Sequence, residues 1–395
     1  MYFCNMEFSE FILAHDADDL GRLALSRDRW AAEVSDFELA LSTLECRRKL
    51  RTKVPEWVAV PSLRYPFRLS AEQCSSSETA RYKASVIPGA RRVADLTGGM
   101  GVDSWAFAQR CQEVLYNEMR PELAKATAFN LRELGLHNVI VRNEMLVRGN
   151  LDSILEGFVP DAIFLDPARR AADGRKVFRL EDCEPDVLQL LPELLQACPL
   201  LLLKLSPMAD ISLVCKQLGC VKQVHVVAAE GECKELLLLL EKGYAGAYSL
   251  TVFQNGHVLE VTPSPACLPA PGVEPGAFVF EPGKALLKAG AFDLPGQYGL
   301  QPLGKHTHLY AGASVPEVLR PFGKVFEVLE VAPLNKRSIR EIGRKYPQAE
   351  VTARNVPLTS DGLRIRLGVR SGGNIHIFGV HVDTLSANYL LISRA

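Results

Sequence analysis

A glycine-rich segment near residue 100 has the clearest chemical content in this sequence. It reads Val93-Ala94-Asp95-Leu96-Thr97-Gly98-Gly99-Met100-Gly101-Val102-Asp103-Ser104, an apolar strand, a turn and the start of a helix. Glycine has no Cβ and tolerates unusual backbone angles, so backbone N–H groups in such a turn can approach a ligand closely. Asp95 precedes the glycines, where a carboxylate gives no help in binding a pyrophosphate. It suits the ammonium group at the amino-acid end of S-adenosylmethionine.

Acidic side chains also follow the next two predicted strands. Glu118 comes 17 residues after Gly101, where a carboxylate can accept hydrogen bonds from both hydroxyls of a ribose. Nicotinamide-dependent enzymes use the same arrangement, so Glu118 alone does not distinguish the two cofactors. Glu144 follows the third strand, where it could accept from an adenine amino group. An ordinary exposed loop residue is an equal interpretation of Glu144.

The fourth strand ends in Asp166-Pro167, which we predict as the catalytic residues. Methyltransferases that act on the amino group of a base use an acidic or amide residue here, usually followed by an aromatic residue that stacks on a flipped base. This chain has Ala168 and Arg169 in the following positions. Arg169 and Arg170 are predicted to bind substrate, through a phosphate. Ion pairs with helix carboxylates are the alternative for these two arginines.

The fifth strand ends in Lys204-Leu205-Ser206-Pro207. Lys204 and Ser206 are predicted to contact the substrate. Enzymes that methylate carbon 5 of pyrimidines carry a nucleophilic cysteine near this position, because that carbon requires covalent activation. The nearest cysteines, Cys198 and Cys215, lie before the strand and within a predicted helix. The sequence therefore argues against methylation of pyrimidine carbon 5.

Strands and helices must alternate to place these residues together. Helices are predicted at 104–110, 121–134, 151–155, 185–197 and 211–218, between strands at 92–95, 114–118, 138–143, 162–166, 200–205 and 223–228, with a seventh strand at 236–241. This alternation requires a parallel sheet with helices on both faces. The connection Glu230–Glu235 is too short for a crossover helix, so the last two strands must form an antiparallel hairpin.

Four regions follow from these patterns: an N-terminal helical segment at 1–85, the alternating core at 86–245, a linker with a small α+β region at 246–324, and an α+β domain at 325–395. The first region is predicted to be helical from residue 7 to about residue 60. In the C-terminal region, strands are predicted at 325–331, 364–369 and 375–380, and an amphipathic helix at 338–346. The fold class is α/β with a Rossmann-like core.

Composition limits the protein class. The chain has 395 residues, 48% hydrophobic and 23% charged, with a net charge of -1, as expected of a globular protein with two or three domains. Ten cysteines include no CxxC pair, so no metal is predicted and a reducing cytoplasm fits best. No membrane span is expected. From residue 320 onward, the chain has 12 Lys and Arg residues and 6 Asp and Glu residues. This basic excess is either a solvated surface or a nucleic-acid contact.

The blocks described above resemble class I S-adenosylmethionine-dependent methyltransferases. They are most similar to a bacterial family, common in Bacteroidetes, with a ferredoxin-like insert and a C-terminal THUMP-like domain. Further marks are Leu69–Ser76, Thr79–Lys83, Glu232–Leu236 and Arg354–Leu358. The resemblance implies a ferredoxin-like piece near 280–316 and a THUMP-like domain to the end, a module that positions structured RNA in true THUMP enzymes.

The resemblance also assigns roles to site residues. The segment before the first strand crosses the methionine end of the cofactor in class I enzymes. This implies cofactor contacts by Gln73, Ser75, Thr79 and Lys83, together with Asp95, Thr97, Gly98, Gly99, Gly101, Asp103, Glu118 and Glu144. N-capping of a helix by Ser75 or Ser76 is the alternative for that segment.

The predicted function is methyl transfer from S-adenosylmethionine to RNA, rRNA or tRNA, with an exocyclic amine such as guanine N2 as a possible acceptor. Three alternatives remain open at this point. The chain could bind RNA with an inactive methyltransferase core, could methylate a small molecule or protein, or could be a nicotinamide-dependent oxidoreductase. Asp95 and the terminal hairpin argue against the last of these.

Overall fold

The computed structural model describes residues 6–31, 33–169, 179–262 and 266–395. The chain forms two compact units. The first comprises residues 1–224 and 235–248, and the second comprises residues 225–234 and 249–395. Among the described residues, no helix is both long enough and apolar enough to cross a membrane.

The N-terminal part of the first unit is helical, as predicted. Buried apolar residues from α1, α2 and α4, among them Phe11, Leu23 and Leu44, form its own small core. Asp36 caps α4 by accepting a hydrogen bond from the backbone N–H of Leu39 at 3.0 Å. The helices are α1 Phe8–His15, α2 Leu20–Leu25, α3 Arg27–Trp30, α4 Phe37–Lys53, α5 Pro55–Val58, α6 Arg68–Gln73 and α7 Ser77–Val86.

A mainly parallel sheet follows. Its central strands are almost entirely buried, which explains their continuous runs of Val, Leu, Ile and Ala. The strands of this part are β1 Arg92–Asp95, β2 Glu113–Asn117, β3 Val139–Arg142, β4 Ala162–Leu165, β5 Ala168–Arg169, β6 Cys183–Glu184, β7 Leu200–Leu205, β8 Val221–Ala229 and β9 Glu232–Glu241. The order is β8-β9-β7-β4-β1-β2-β3, and β5 pairs with β6 as a separate antiparallel ribbon.

The pairing of these strands confirms the predicted fold class. Strands β3, β2, β1, β4 and β7 are parallel, and β9 runs antiparallel to β7. The helices between them are α8 Val102–Ala108, α9 Pro121–Glu133, α10 Leu151–Leu155, α11 Val187–Ala197 and α12 Ile211–Leu218. The turn from β8 to β9 is shorter than predicted: Glu230 and Gly231 both have positive φ, 53° and 74°, so two residues suffice for a tight hairpin.

The second unit contains an additional hairpin that the sequence analysis did not predict. Strands β10 Ser249–Gln254 and β11 His257–Val261 pair antiparallel across Asn255-Gly256, whose φ angles are 49° and 80°. Asn-Gly between two apolar segments is a strong sequence signal for such a turn. The strand order places β10 beside β8.

The remainder of the second unit is a seven-stranded sheet with helices. Its strands are β12 Phe278–Pro282, β13 Gln301–Pro302, β14 Tyr310–Gly312, β15 Gly323–Pro333, β16 Glu350–Arg354, β17 Ile375–Val382 and β18 Ala387–Arg394, in the order β13-β14-β12-β15-β18-β17-β16. Its helices are α13 Lys284–Lys288, α14 Leu294–Gln297, α15 Lys336–Lys345 and α16 Ser360–Leu367.

The predicted strand at 364–369 is wrong, because residues 364–367 form the second half of α16. Thr359 caps the helix, accepting from the N–H of Gly362 at 3.0 Å, and Gly368 ends it in the left-handed region at φ 69°. Leu363 and Leu367 are buried with helical spacing, whereas Ile365 is 71% exposed. The alternating Arg and apolar residues therefore imitated a strand pattern.

Candidate functional site

A cavity of about 580 Å³ lies at the carboxyl ends of the parallel strands, where α/β sheets bind ligands. Its lining brings together most of the residues predicted from the sequence. These are Gln73, Ser75, Thr97, Gly98, Gly99, Gly101, Asp103, Glu118, Glu144, Asp166 and Lys204.

The glycine turn is held tightly against β2 and α9. A Cβ on Gly98 would lie 2.1 Å from the Tyr116 ring, and one on Gly101 would lie 2.5 Å from the Thr127 methyl group. Tyr116 Oη also donates a hydrogen bond of 2.6 Å to the carbonyl of Gly99. Because no side chain fits at Gly98 or Gly101, the backbone itself forms this wall of the cavity.

Asp95 does not line the cavity. It has no exposed surface, Oδ1 accepts from the N–H of Thr97 at 3.1 Å, and Oδ2 accepts from Ser104 Oγ at 2.6 Å. Burial raises the pKa of Asp95 to about 7. Asp95 therefore stabilises the turn from inside, and Asp103 is the carboxylate of this segment that faces the cavity.

Glu118 connects the glycine turn to the end of β2. Its Oε2 accepts from the N–H of Gly99 at 3.0 Å, and its Oε1 accepts from the backbone N–H and Nε of Arg120 at 3.0 and 3.2 Å. A carboxylate offers about four lone-pair positions, and these contacts use three of them, so one remains for a ligand hydroxyl. This position fits the ribose role predicted from the sequence.

The cavity wall beyond Glu118 is apolar. Met119 and Met145 line it and are 55% and 53% exposed. Glu144 also lines the cavity, and its backbone is fixed by the buried amide of Asn117 through hydrogen bonds of 3.0 and 3.1 Å. Flexible methionines beside a polar backbone edge are suited to covering a flat heteroaromatic ring.

A buried charge cluster lies beside the cavity, formed by Lys83, Asp103, Glu235, Lys204 and Asp166. Lys83 has no exposed surface, and its Nζ lies 2.8 and 3.0 Å from the two oxygens of Glu235 and 3.1 Å from Asp103 Oδ1. Asp103 Oδ1 is buried and accepts no hydrogen bond of acceptable geometry from a described residue. Apart from the ion pair with Lys83, Asp103 Oδ1 therefore has capacity for a further donor.

Ser75 links two members of this charge cluster. Its hydroxyl accepts from Lys83 Nζ at 2.8 Å and donates to Asp103 Oδ2 at 2.9 Å. Ser75 thus orients Asp103, which stands in the first turn of α8 where a negative charge is favoured by the helix dipole.

Lys204 and Asp166 complete the charge cluster at the ends of β7 and β4. Lys204 Nζ donates to Asp166 Oδ2 at 2.5 Å and lies 3.8 Å from Glu235 Oε2. Burial opposes the charged form of Lys204, but the carboxylates of Asp166, Glu235 and Asp103 outweigh it and raise its pKa above the ordinary value. The N–H of Asp166 donates to Thr97 Oγ1 at 2.7 Å, which joins β4 to the glycine turn.

Several predicted residues lie away from the cavity wall. Thr79 is buried in a capping box with Ser76 at the start of α7. This is the helix-capping role that was the alternative for this segment. Pro167 follows Asp166 outside the lining, and Ser206 Oγ accepts from the N–H of Met208 at 3.2 Å. Arg170 and the side chain of Arg169 lie outside the described residues.

Glu235 is a site residue that was not predicted from the sequence, as are Met119 and Met145. It stands at the start of Leu236–Leu240, on a strand whose neighbours are buried. An acidic residue beside a run of buried apolar residues must be paired with a partner of opposite charge or a hydrogen-bond donor. This was the signal in the sequence that could have identified Glu235. Within the described part of the chain, no group of three or more His, Cys, Asp or Glu side chains could hold a metal ion.

Comparison with known proteins finds methyltransferases that this chain is similar to. The family described as THUMP domain-like matches residues 323–393, and a ferredoxin-like domain family matches residues 278–317. The crystal structure of a proposed methyltransferase from Porphyromonas gingivalis W83 superposes with a TM-score of 0.82 at 29% identity, covering 98% of this chain and 97% of that one.

Comparison of sequences gives further relatives. An uncharacterised S-adenosylmethionine-dependent methyltransferase of Mycobacterium tuberculosis is 26% identical over 306 residues, covering 76% of this chain and 79% of the relative. An uncharacterised RNA methyltransferase of Listeria monocytogenes is 30% identical over 128 residues, covering 31% of this chain and 27% of the relative.

The fold and these relatives define a class I S-adenosylmethionine-dependent methyltransferase. More particularly, it is a methyltransferase with a ferredoxin-like domain and a C-terminal THUMP-like domain, as the sequence resemblance implied.

Proposed function

We propose that this methyltransferase acts on RNA. The observation that carries the proposal is a basic face on two adjacent helices of the THUMP-like region, α15 and α16. The relative from Listeria monocytogenes that is described as an RNA methyltransferase gives further support. The exposed basic residues of this face are Lys336, Arg337, Arg340, Arg344 and Lys345 on α15, Arg366 on α16, and Arg370 just after α16.

The two helices pack closely enough to form one continuous surface. A Cβ on Gly343 of α15 would lie 1.9 Å from the carbonyl oxygen of Leu367 in α16, so this contact requires glycine. Within the described part of the chain, Arg340 and Arg344 make no ion pair, whereas Arg337 pairs with Glu341. Unpaired exposed guanidinium groups on one helix are suited to phosphate contacts.

The cavity residues fit S-adenosylmethionine. We assign the ammonium group of the cofactor to the carboxylate of Asp103, which lines the cavity. Its Oδ1 forms an ion pair with Lys83 at 3.1 Å and accepts no hydrogen bond from a described residue. Glu118 is assigned to a ribose hydroxyl, and Met119 and Met145 to the faces of the adenine. The cofactor supplies the activated methyl group, and the chain supplies position and electrostatic stabilisation.

Asp166 is assigned to the acceptor group of the RNA. It lies at the end of β4, lines the cavity, and is 35% exposed at its side chain. A carboxylate in this position can accept from an exocyclic amine such as N2 of guanine, the acceptor named in the sequence analysis, or from a hydroxyl group.

RNA from cells that lack this gene, digested to nucleosides and profiled by mass spectrometry, tests the proposal. We expect one methylated nucleoside to be missing and to return when the gene is restored. An unchanged profile would favour a small-molecule or protein acceptor.

The basic face has its own test. The double change Arg340→Glu and Arg344→Glu should weaken RNA binding and reduce the dependence of log K on log salt by about 0.7 for each lost phosphate contact. Arg132→Glu is the matched control, because Arg132 is exposed near the end of α9, which runs away from the carboxyl edge of the sheet. An equal loss of binding in both variants would contradict the assignment.

A further inference from the structure

The acceptor side of the cavity carries a cation that the reaction must accommodate. Lys204 Nζ lies 2.5 Å from Asp166 Oδ2, so any group held by Asp166 is placed beside an ammonium group. Lys204 lies in the buried strand β7, where its side chain is 15% exposed. The pairing with Asp166 and Glu235 keeps Lys204 charged in the folded protein.

The sign of this charge discriminates between acceptor groups. An amine nitrogen gains positive charge as it attacks a methyl group, and a neighbouring ammonium opposes this change. A hydroxyl oxygen gains negative charge as its proton leaves, and a neighbouring ammonium stabilises it. The fixed charges of an active site act most strongly on the charge that develops in the transition state.

The cavity lining gives a second, independent observation. Among the described residues, no aromatic side chain lines the cavity, and Ala168, Glu184 and Pro185 occupy the lining next to Asp166. An enzyme that modifies a base commonly stacks the flipped ring on aromatic or apolar side chains. Beside Asp166, the described lining offers the small apolar side chains of Ala168 and Pro185 but no aromatic ring. A sugar hydroxyl lies outside the base stack and requires no stacking surface.

The rest of the charge cluster fixes Lys204 in place. Glu235 lies between the two lysines. Its Oε1 is 2.8 Å from Lys83 Nζ, and its Oε2 is 3.8 Å from Lys204 Nζ. Lys83 is in turn held by Ser75 and Asp103. Glu235 and Lys83 are therefore positioning residues, whereas Lys204 and Asp166 are the pair that can contact an acceptor.

We propose that the methyl acceptor is a hydroxyl group and, given the RNA substrate proposed above, the 2′-hydroxyl of a ribose. The hydroxyl oxygen forms a bond to the methyl carbon while the carbon–sulfur bond breaks and its electron pair stays on sulfur. The hydroxyl proton moves to the Asp166 carboxylate and then to solvent, while Lys204 donates a hydrogen bond to the oxygen. No oxidant or other reactant is required.

Alkaline hydrolysis of RNA methylated by the purified protein tests this inference. RNA from cells lacking the gene is incubated with S-adenosylmethionine labelled in its methyl group and then hydrolysed. A methylated 2′-oxygen cannot attack the adjacent phosphate, so we expect the label in alkali-resistant dinucleotides. Label in mononucleotides would show methylation of a base and overturn the inference while leaving the proposed RNA substrate intact. Absence of label from RNA would overturn the proposed function, and the ribose assignment with it.

The role of Lys204 has a separate test that does not depend on the product analysis. Lys204→Met keeps the length of the side chain and removes its charge. With a hydroxyl acceptor, kcat should fall about 100-fold or more at saturating cofactor, while the affinity for S-adenosylhomocysteine changes by less than threefold. With an amine acceptor, kcat should be maintained or should rise, and this result would overturn the inference.

Two further variants complete the test. Lys222→Met is the matched control, because the Lys222 side chain on β8 is 42% exposed, pairs with Glu241 and does not line the cavity. The kcat of this variant should equal that of the unmodified protein. Glu235→Gln should lower kcat with KM for RNA unchanged, and Glu235→Asp should restore part of the rate. Equal loss in Glu235→Gln and Lys222→Met would contradict a positioning role.

Discussion

The ion pair between Lys83 and Glu235 gives the most quantitative prediction for stability. Both side chains are buried, at 0% and 5% exposure, and the Lys83 ammonium lies within 3.0 Å of both Glu235 oxygens. Removing one member of a buried pair costs about 3–5 kcal/mol, whereas replacing both with apolar residues is close to neutral. Lys204 and Asp103 partly compensate the remaining charge. We therefore expect Lys83→Met or Glu235→Leu alone to lower the free energy of unfolding by about 3 kcal/mol, the lower end of this range.

The double-mutant cycle measures their coupling. The double variant should be more stable than the sum of the single losses predicts, by about 1–3 kcal/mol. All three tryptophans, Trp30, Trp57 and Trp105, lie in the first unit, so tryptophan fluorescence during urea unfolding reports this unit alone.

A matched pair on the surface of the same unit controls the cycle. Arg92 and Glu113 lie 3.0 Å apart but are 35% and 37% exposed. Their coupling should be below about 1 kcal/mol, because solvent screens exposed pairs. If the single losses at Lys83 and Glu235 are additive, or if both pairs show the same coupling, the interpretation of a buried charge cluster is wrong.

Three further outcomes are expected. Glu118→Gln should weaken S-adenosylhomocysteine binding, measured by calorimetry, about tenfold to a hundredfold, because it removes a charged hydrogen-bond acceptor. Glu113→Gln, in the strand that precedes Glu118, should leave the affinity unchanged. Equal affinities of the two variants would contradict the ribose assignment. Gly98→Ala should lower the free energy of unfolding by about 1–3 kcal/mol through overpacking against Tyr116, and an unchanged urea midpoint would argue against this close contact. Burial raises the pKa of Asp95 to about 7, so the folded state keeps a proton that the unfolded state loses above about pH 4. The free energy of unfolding should therefore fall between about pH 4 and pH 7 by an amount that Asp95→Asn abolishes, and an identical pH dependence in this variant would refute the assignment.

The core of the fold could be predicted from the sequence because the strands of its sheet are buried on both faces. Continuous apolar segments separated by helical segments determined β1 and β7 to the residue. The C-terminal error arose because Arg364–Val369 alternates polar and apolar residues, and the capping residues Thr359 and Gly368 that define the helix lie outside that window. The hairpin at Asn255-Gly256 was missed although its turn residues are typical.

The site was predictable where the residue lies at a strand end or in the glycine turn. It was not predictable where the function of a residue depends on a partner distant in sequence. Glu235 and Lys83 are 152 residues apart, and their contact exists because α7 and β9 meet at the same edge of the sheet. Likewise, Asp95 was expected to face a ligand, but the depth of its burial depends on the packing of Ser104 beneath the turn.

Methyl transfer to RNA by the unmodified protein and by Asp166→Asn, measured with labelled S-adenosylmethionine at saturating concentration, tests the account most directly. We predict that the unmodified protein labels RNA from cells lacking the gene. Asp166→Asn should bind S-adenosylhomocysteine with unchanged affinity and transfer methyl groups at least about 100-fold more slowly, the magnitude typical of a lost general base. Full turnover by Asp166→Asn, or no label in RNA with either protein, would contradict the account.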